Sequence, residues 1–289
     1  MHKQISFGKK VIYLIPSAVL LLIFFVGPVV LSLYFSFTNM ALTGSNASSL
    51  RFIGLENYKH MISDPTVKKA IINTLVFMVG SVAGQTLLGF GFAYMMRSCL
   101  KKVRKVVGSI IMIGWIMPEM VAAFCMSSLF HDSGTLNMIL EGLGISGVSW
   151  LYTFPMAAVI IANVWRGTAF SMLAYQAALD DVPSDIEESS KLDGANLAKK
   201  IYYIILPTIK NTIMTNTMLI TLMTLGSFGL IWIMTGGGPS GKTQTLPILM
   251  YIKAFKNSQL GYGVAISIIS LVVGVIFGIF YIKAAGKED

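Results

Sequence analysis

Two charges stand inside long apolar stretches of this chain, Glu119 within Val106–Phe130 and Arg166 within Phe154–Leu179. An ionisable group at membrane depth is costly, so it faces a bundle interior or water, either paired or along a solute path. Glu119 and Arg166 therefore either pair with each other or give a passage its polar lining. Thr224 and Ser227 add hydroxyls three residues apart, which places both on one helix face. Small hydroxyls also pack helices together. Gly236 to Thr243 satisfies the spacing G-x-x-x-x-G-K-T. Such a loop cradles phosphate when a strand precedes it and a helix follows. Apolar helical runs flank it instead, so a tight turn is expected. His2, His60 and His131 are scattered, and Cys99 and Cys125 read as small apolar fillers. Neither a metal cluster nor a disulfide framework is predicted. No nucleophile–base arrangement is present, so the chain is not predicted to be an enzyme.

The elements that must hold these residues are membrane helices. The 289 residues are 55% hydrophobic and only 12% charged, with mean hydropathy +0.72. A soluble domain carries about a quarter charged residues. A helix crosses a bilayer with about 20 mostly apolar residues. Six segments qualify: Val11–Phe37, Ala70–Met96, Val106–Phe130, Phe154–Leu179, Thr212–Met234 and Gly263–Tyr281. The prediction is an all-α polytopic membrane protein, with six transmembrane helices in one domain over residues 1–289. The first apolar run is too long for the core of a signal peptide and is read as a retained span. Pro28 and Pro118 fall inside spans, where kinks are tolerated because neighbours satisfy the freed backbone groups.

The net charge of +9 lies in clusters between the apolar runs, not on a continuous basic face, so nucleic acid is not an expected partner. With the N-terminus inside, the inner segments hold fourteen Lys and Arg (Lys3, Lys9, Lys10, Arg97, Lys101, Lys102, Arg104, Lys105, Lys191, Lys199, Lys200, Lys210, Lys283 and Lys287). The outer segments hold seven: Arg51, Lys59, Lys68, Lys69, Lys242, Lys253 and Lys256. The positive-inside rule then puts both termini in the cytoplasm and the glycine-rich run outside, away from ATP.

Residues 180–210, on the inside between spans four and five, carry Asp180, Asp181, Asp185, Glu187, Glu188 and Asp193. Pro183 suits a first helical turn, and acids just after it favour the helix N-terminal dipole. Gly194 interrupts the pattern and Asn196 is a good N-cap for a second short helix. The prediction is helix, turn, helix, with Pro207 at the entry to span five.

This segment resembles the "EAA" coupling loop of ABC import permeases. In that family a Pro and an acid precede Glu-Ala-Ala, Asp-Gly-Ala follows, and Leu-Pro closes the motif. Here Pro183, Asp185, Glu188, Asp193, Gly194, Ala195, Leu206 and Pro207 fall in register, with Ser189-Ser190 in place of the two alanines. Phe52-Ile53-Gly54-Leu55-Glu56-Asn57-Tyr58, Val164-Trp165-Arg166-Gly167, and Thr235-Gly236-Gly237-Gly238-Pro239 with the residues after it resemble the carbohydrate branch. That branch contains the maltose, glycerol-phosphate and multiple-sugar permeases.

The resemblance implies a type I importer permease fold in a bacterial plasma (inner) membrane. It implies a second homologous permease making a heterodimer, two ATPase subunits and an extracytoplasmic solute-binding protein that delivers a sugar. No cofactor would be bound by this chain, ATP and Mg residing on the ATPase subunits. The first short helix would dock in a groove of the ATPase, Glu188 pairing with a basic group and Gly194 permitting the turn. The solute pocket would lie at mid-membrane between spans three, four and five. That points at Met112, Glu119, Arg166, Gly167, Thr224 and Ser227. Sugar recognition by amides and aromatic faces adds Asn163, Trp165, Tyr175 and Trp232.

Two rival readings are open at this level. One is an ABC permease for another solute, a polyamine or an organophosphate, with Arg166 also admitting anionic sugars. The other is a secondary transporter driven by an ion gradient, which needs coupling groups within its spans and often shows inverted repeats. Glu119 is the only acid clearly within a span, and that reading leaves the acidic inner segment without a role.

Overall fold

The computed structural model describes residues 7–183, 185, 186, 189, 190 and 194–285, with side chains described between Leu14 and Lys283. Glu188 and Asp193 of the coupling motif lie outside the described residues. Apart from one antiparallel bridge between Thr38 and Phe52, the described residues contain no β-structure. Lipid offers no hydrogen-bond partner, so a spanning segment must close its backbone bonds within itself, which a helix does.

In chain order the elements used below are α1 (Phe7–Leu21), α2 (Gly27–Ser36), α3 (Glu56–Ser63), α4 (Pro65–Arg97), α5 (Lys101–Ile116), α6 (Glu119–Leu129), α7 (Pro155–Asp180), α8 (Lys210–Leu225), α9 (Gly229–Thr235), α10 (Leu246–Tyr251) and α11 (Leu260–Ala285). Among the described residues four stretches are long and apolar enough to cross a membrane, and six if each of two bent pairs counts as one span. The expected spans three and five are these pairs. α5 meets α6 at 101°, and α8 meets α9 at 49°. The expected kink at Pro118 is therefore a full break. Span two begins five residues earlier than expected, because Pro65 opens α4 where its missing N–H costs nothing.

The contacts divide the chain into two compact units. The first comprises the residues up to Asp64 together with Met250–Ile269. Between α1 and α2 a π-helical turn covers Leu22–Val26, and the Gly27 N–H reaches back five residues to the Leu22 carbonyl. Pro28 follows at the start of α2, where a proline is tolerated. The Phe52–Tyr58 motif closes the far end of α2. Asn57 Nδ2 donates to the Ser36 and Thr38 carbonyls at 2.8 and 2.9 Å. Tyr58 Oη lies 2.7 Å from Ser36 Oγ. At the edge of this unit Asp64 is buried and accepts from Lys253 Nζ at 3.1 Å and Tyr262 Oη at 2.9 Å.

The second unit comprises residues 65–249 and the chain from Ser270. Its spine is α4 packed along α7. Gly80, Gly84 and Gly89 of α4 lie against Ile160, Val164 and Ser171, where any Cβ would crowd the opposite helix. Small residues let helix backbones approach closely in membranes, where packing replaces the hydrophobic effect as the attraction.

Asp64→Ala strands the ammonium of Lys253 in a partly buried site. Removing one member of a buried ion pair costs about 3–5 kcal/mol. A clear fall in the thermal unfolding midpoint of the purified protein is expected, and an unchanged midpoint would remove Asp64 from this role.

Candidate functional site

The site is built on the two helix breaks of the second unit. Residues before proline are pushed out of the helical region, and Met117 accordingly has ψ 132° as α5 ends. Pro118 then turns the chain, and Glu119 opens α6. In the other pair α8 ends at Leu225, Gly226 to Phe228 carry the chain across, and α9 starts at Gly229. The first amides of a helix have no partner within it. Here the Leu230 N–H of α9 donates to Glu119 Oε1 at 2.9 Å. The carboxylate at one break thus closes the backbone of the other.

A cavity of about 280 Å³ opens beside this junction. Glu119, Asn163, Arg166, Gly167, Thr224 and Ser227 all line it, so six of the seven expected path residues come together. Met112 does not. It lies on the face of α5 that carries Lys105, Gly108 and Ser109, in a separate groove. The expected sharing of a helix face by Thr224 and Ser227 also fails, because Ser227 lies past the end of α8 and reaches the cavity through the turn. Glu119 and Arg166 form no ion pair among the described residues. Arg166 Nε is buried without a hydrogen-bond partner among the described residues.

Other members of the wall were not expected from sequence. Gln85 of α4 is buried and donates from Nε2 to the Asn163 carbonyl at 3.4 Å. A side chain at Gly167 would occupy the space of the Gln85 amide, so the glycine serves this close approach. Trp115 and Phe170 line the cavity and stack with centroids 5.7 Å apart. The signal for Gln85 was present as a lone amide in an apolar run. Of the aromatic candidates, Trp165 and Tyr175 stand away from the lining, and Trp232 stacks on Phe228. Tyr175 is fully buried, its Oη bonded by Asn216 Nδ2 at 2.8 Å.

At the expected coupling segment the described residues match local turn chemistry. Gly194 has φ +74°, a left-handed conformation, and the Ala195 N–H bonds the Ser190 carbonyl at 3.0 Å. Asn196 caps the following turn, its Oδ1 accepting from the Lys199 N–H at 2.9 Å. A π-helical stretch, Ile201–Ile205, then leads to Leu206 and Pro207. The stem is tied to the spans by Arg97 Nη2, 3.1 Å from the Val182 carbonyl, and by the ion pair of Arg104 with Asp180. Pro183 and Asp185 follow directly on this stem.

The glycine-rich loop is fastened to α4. Lys69 Nζ donates to the Ser240 carbonyl at 2.7 Å, and Asn73 Nδ2 to the carbonyls of Gly241 and Gln244. It runs from α9 to α10, so the strand that a phosphate loop requires does not precede it.

Residues 85–282 match the family model for the binding-protein-dependent transport system inner membrane component. The chain belongs to this family. It is a transport subunit, and ATP hydrolysis falls to separate ATPase subunits. Among relatives, it is 34% identical to the trehalose/maltose transport system permease protein MalF of Thermococcus litoralis, over 80% of this chain and 79% of that protein. It is 28% identical to the sulfoquinovosyl glycerol transport system permease protein SmoG of Agrobacterium fabrum, over 96% of this chain and 91% of that one. Among solved structures, a chain of a bacterial ABC transporter importing the acidic polysaccharide alginate superposes with TM-score 0.77 at 20% identity, covering 97% and 96% of the two chains. The fold is that of an ABC importer permease, and the protein is a multi-pass membrane protein.

Glu119→Ala leaves the Leu230 N–H unpaired, which costs about 1–3 kcal/mol. Glu119→Gln retains an acceptor oxygen. Thermal unfolding of the purified complex is expected to show a lowered midpoint for the first variant and a near-native one for the second. Equal loss in both would assign the effect to charge instead.

Proposed function

We propose that this chain forms half of a path for a sugar or oligosaccharide delivered by an extracytoplasmic binding protein. The observation that carries the reading is the cavity at the paired helix breaks, where amide, hydroxyl, carboxylate and guanidinium groups meet the aromatic faces of Trp115 and Phe170. Hydroxyls and ring faces of a saccharide need this mixture of groups. The named relatives that carry trehalose/maltose and sulfoquinovosyl glycerol support the same class.

The complex comprises this chain, a second homologous permease, two ATPase subunits and the binding protein. A related alginate transporter is known in complex with its sugar-bound periplasmic protein, which supports that set. ATP and Mg belong to the ATPase subunits. Both termini face the cytoplasm of a bacterial cell, as the distribution of Lys and Arg favours. Residues 180–210 then lie at the cytoplasmic face and dock on the ATPase. Pro183, Asp185, Glu188, Asp193, Gly194, Ala195, Leu206 and Pro207 form the docking motif. Closure of the ATPase dimer on ATP moves the docked segment, and the spans follow as rigid bodies.

ATPase activity of the complex in lipid tests this, with a panel of sugars and with or without binding protein. One sugar-loaded binding protein is expected to stimulate hydrolysis severalfold. Gly194→Asp places a charged side chain at a left-handed position that glycine adopts freely, and it is expected to abolish the stimulation. A mutant that couples normally, or absence of a co-purifying ATPase, would refute the docking assignment.

A further inference from the structure

We infer that the saccharide carried by this permease is acidic, and that α5 and α7 form a cationic track leading it from the cavity toward the inner groove. The inference rests on the saccharide reading above and names the class of sugar. Three observations support it.

One oxygen of the cavity's acid is engaged, because Glu119 Oε1 accepts from the Leu230 N–H, and the residue stands in the first turn of α6, where the helix dipole favours a negative group. The cavity's guanidinium still has a donor to offer, Arg166 Nε being buried and without a hydrogen-bond partner among the described residues. A buried polar group left unpaired is costly, and a planar guanidinium matches a carboxylate with two parallel hydrogen bonds. The third observation lies further along the same helix face. Arg166, Phe170 and Leu173 are spaced by four and three residues, so they share one side of α7. The first two line the cavity, and Leu173 lines a second space of about 680 Å³ with Met112, Lys101 and Lys105. Arg104 in that groove is neutralised by Asp180, whereas Lys101 and Lys105 have no ionic partner among the described residues. The track therefore offers an unpaired cation at its middle and two at its basic end. Met112, absent from the cavity wall, belongs to this lower section.

The test uses the complete permease–ATPase complex in nanodiscs and isothermal titration. The probes are matched gluco-, galacto- and manno-disaccharides, each present as the neutral sugar and as its diuronate of the same linkage. At least one diuronate is expected to bind roughly tenfold or more tighter than its neutral twin, the factor a charged hydrogen bond supplies. Arg166→Gln is expected to erase that preference, and Arg166→Lys to keep only part of it, because the charge remains while the two parallel hydrogen bonds are lost, which separates charge recognition from misfolding. Neutral sugars binding as well as diuronates, or a preference untouched by Arg166→Gln, would overturn the inference while leaving the saccharide reading intact. Binding of no sugar in any series would sink both. For the groove, the Lys101→Gln/Lys105→Gln double variant is expected to slow vesicle uptake of the diuronate and to spare its neutral twin. An equal effect on both twins that follows the phosphatidylglycerol content of the vesicle would assign the groove to lipid and overturn its place on the track.

Discussion

A helix that breaks in lipid exposes amides and carbonyls that nothing in the bilayer can bond. Among the described residues of the second unit, two spans are broken in this way, after Ile116 and after Leu225. The contact of Glu119 with the Leu230 N–H joins them across 111 residues of sequence. With that contact made, α6 and α9 lie together, and the polar residues of both breaks face one space. Gln85, Asn163 and Thr224 complete its wall through hydrogen bonds along α4, α7 and α8. Irregular backbone at membrane depth is tolerated only where it is buried in protein or lines a cavity, and here Glu119, Gly226 and Ser227 line one.

The same helices run from this cavity to the coupling segment. Ala93 and Met96 of α4, Met172, Tyr175 and Leu179 of α7, and Val182, Ile205 and Ile209 form one buried cluster. Asn216 of α8 bonds Ser171 and Tyr175 on the cavity side of that cluster. Close-packed interiors shift between discrete arrangements instead of deforming smoothly. If residues 180–210 dock on the ATPase as proposed, a displacement entering at Ile205 or Val182 meets this cluster before it reaches the helices that carry Arg166 and Thr224.

Legibility in the sequence followed the range of the interaction. Spans were readable because length and apolar content alone decide whether a segment can cross a bilayer. Gly194 and Asn196 were readable because a left-handed turn and an N-cap are set within four residues. The 101° break at Pro118 was not, since a proline in a span either kinks or breaks it according to its neighbours, and the partner of Glu119 at this break, Leu230, is 111 residues away in sequence. Gln85 escaped notice because an uncharged amide in an apolar run gives a weak signal until the close approach of Gly167 is known. The Phe52–Tyr58 motif was recognisable, but its work in closing the end of α2 depends on Asn57 meeting two carbonyls about twenty residues earlier.

The central claim is that the cavity at the paired breaks is the solute path. Cysteine labelling at Ser227 tests it most directly. The two native cysteines, both exposed, are first replaced by serine. The Ser227→Cys transporter in proteoliposomes is then treated with a small water-soluble thiol reagent, with and without the transported sugar. The account predicts modification from the aqueous phase despite the depth of the site, and protection by the sugar. A thiol that stays unmodified under every condition, or one labelled equally with and without sugar, would contradict it.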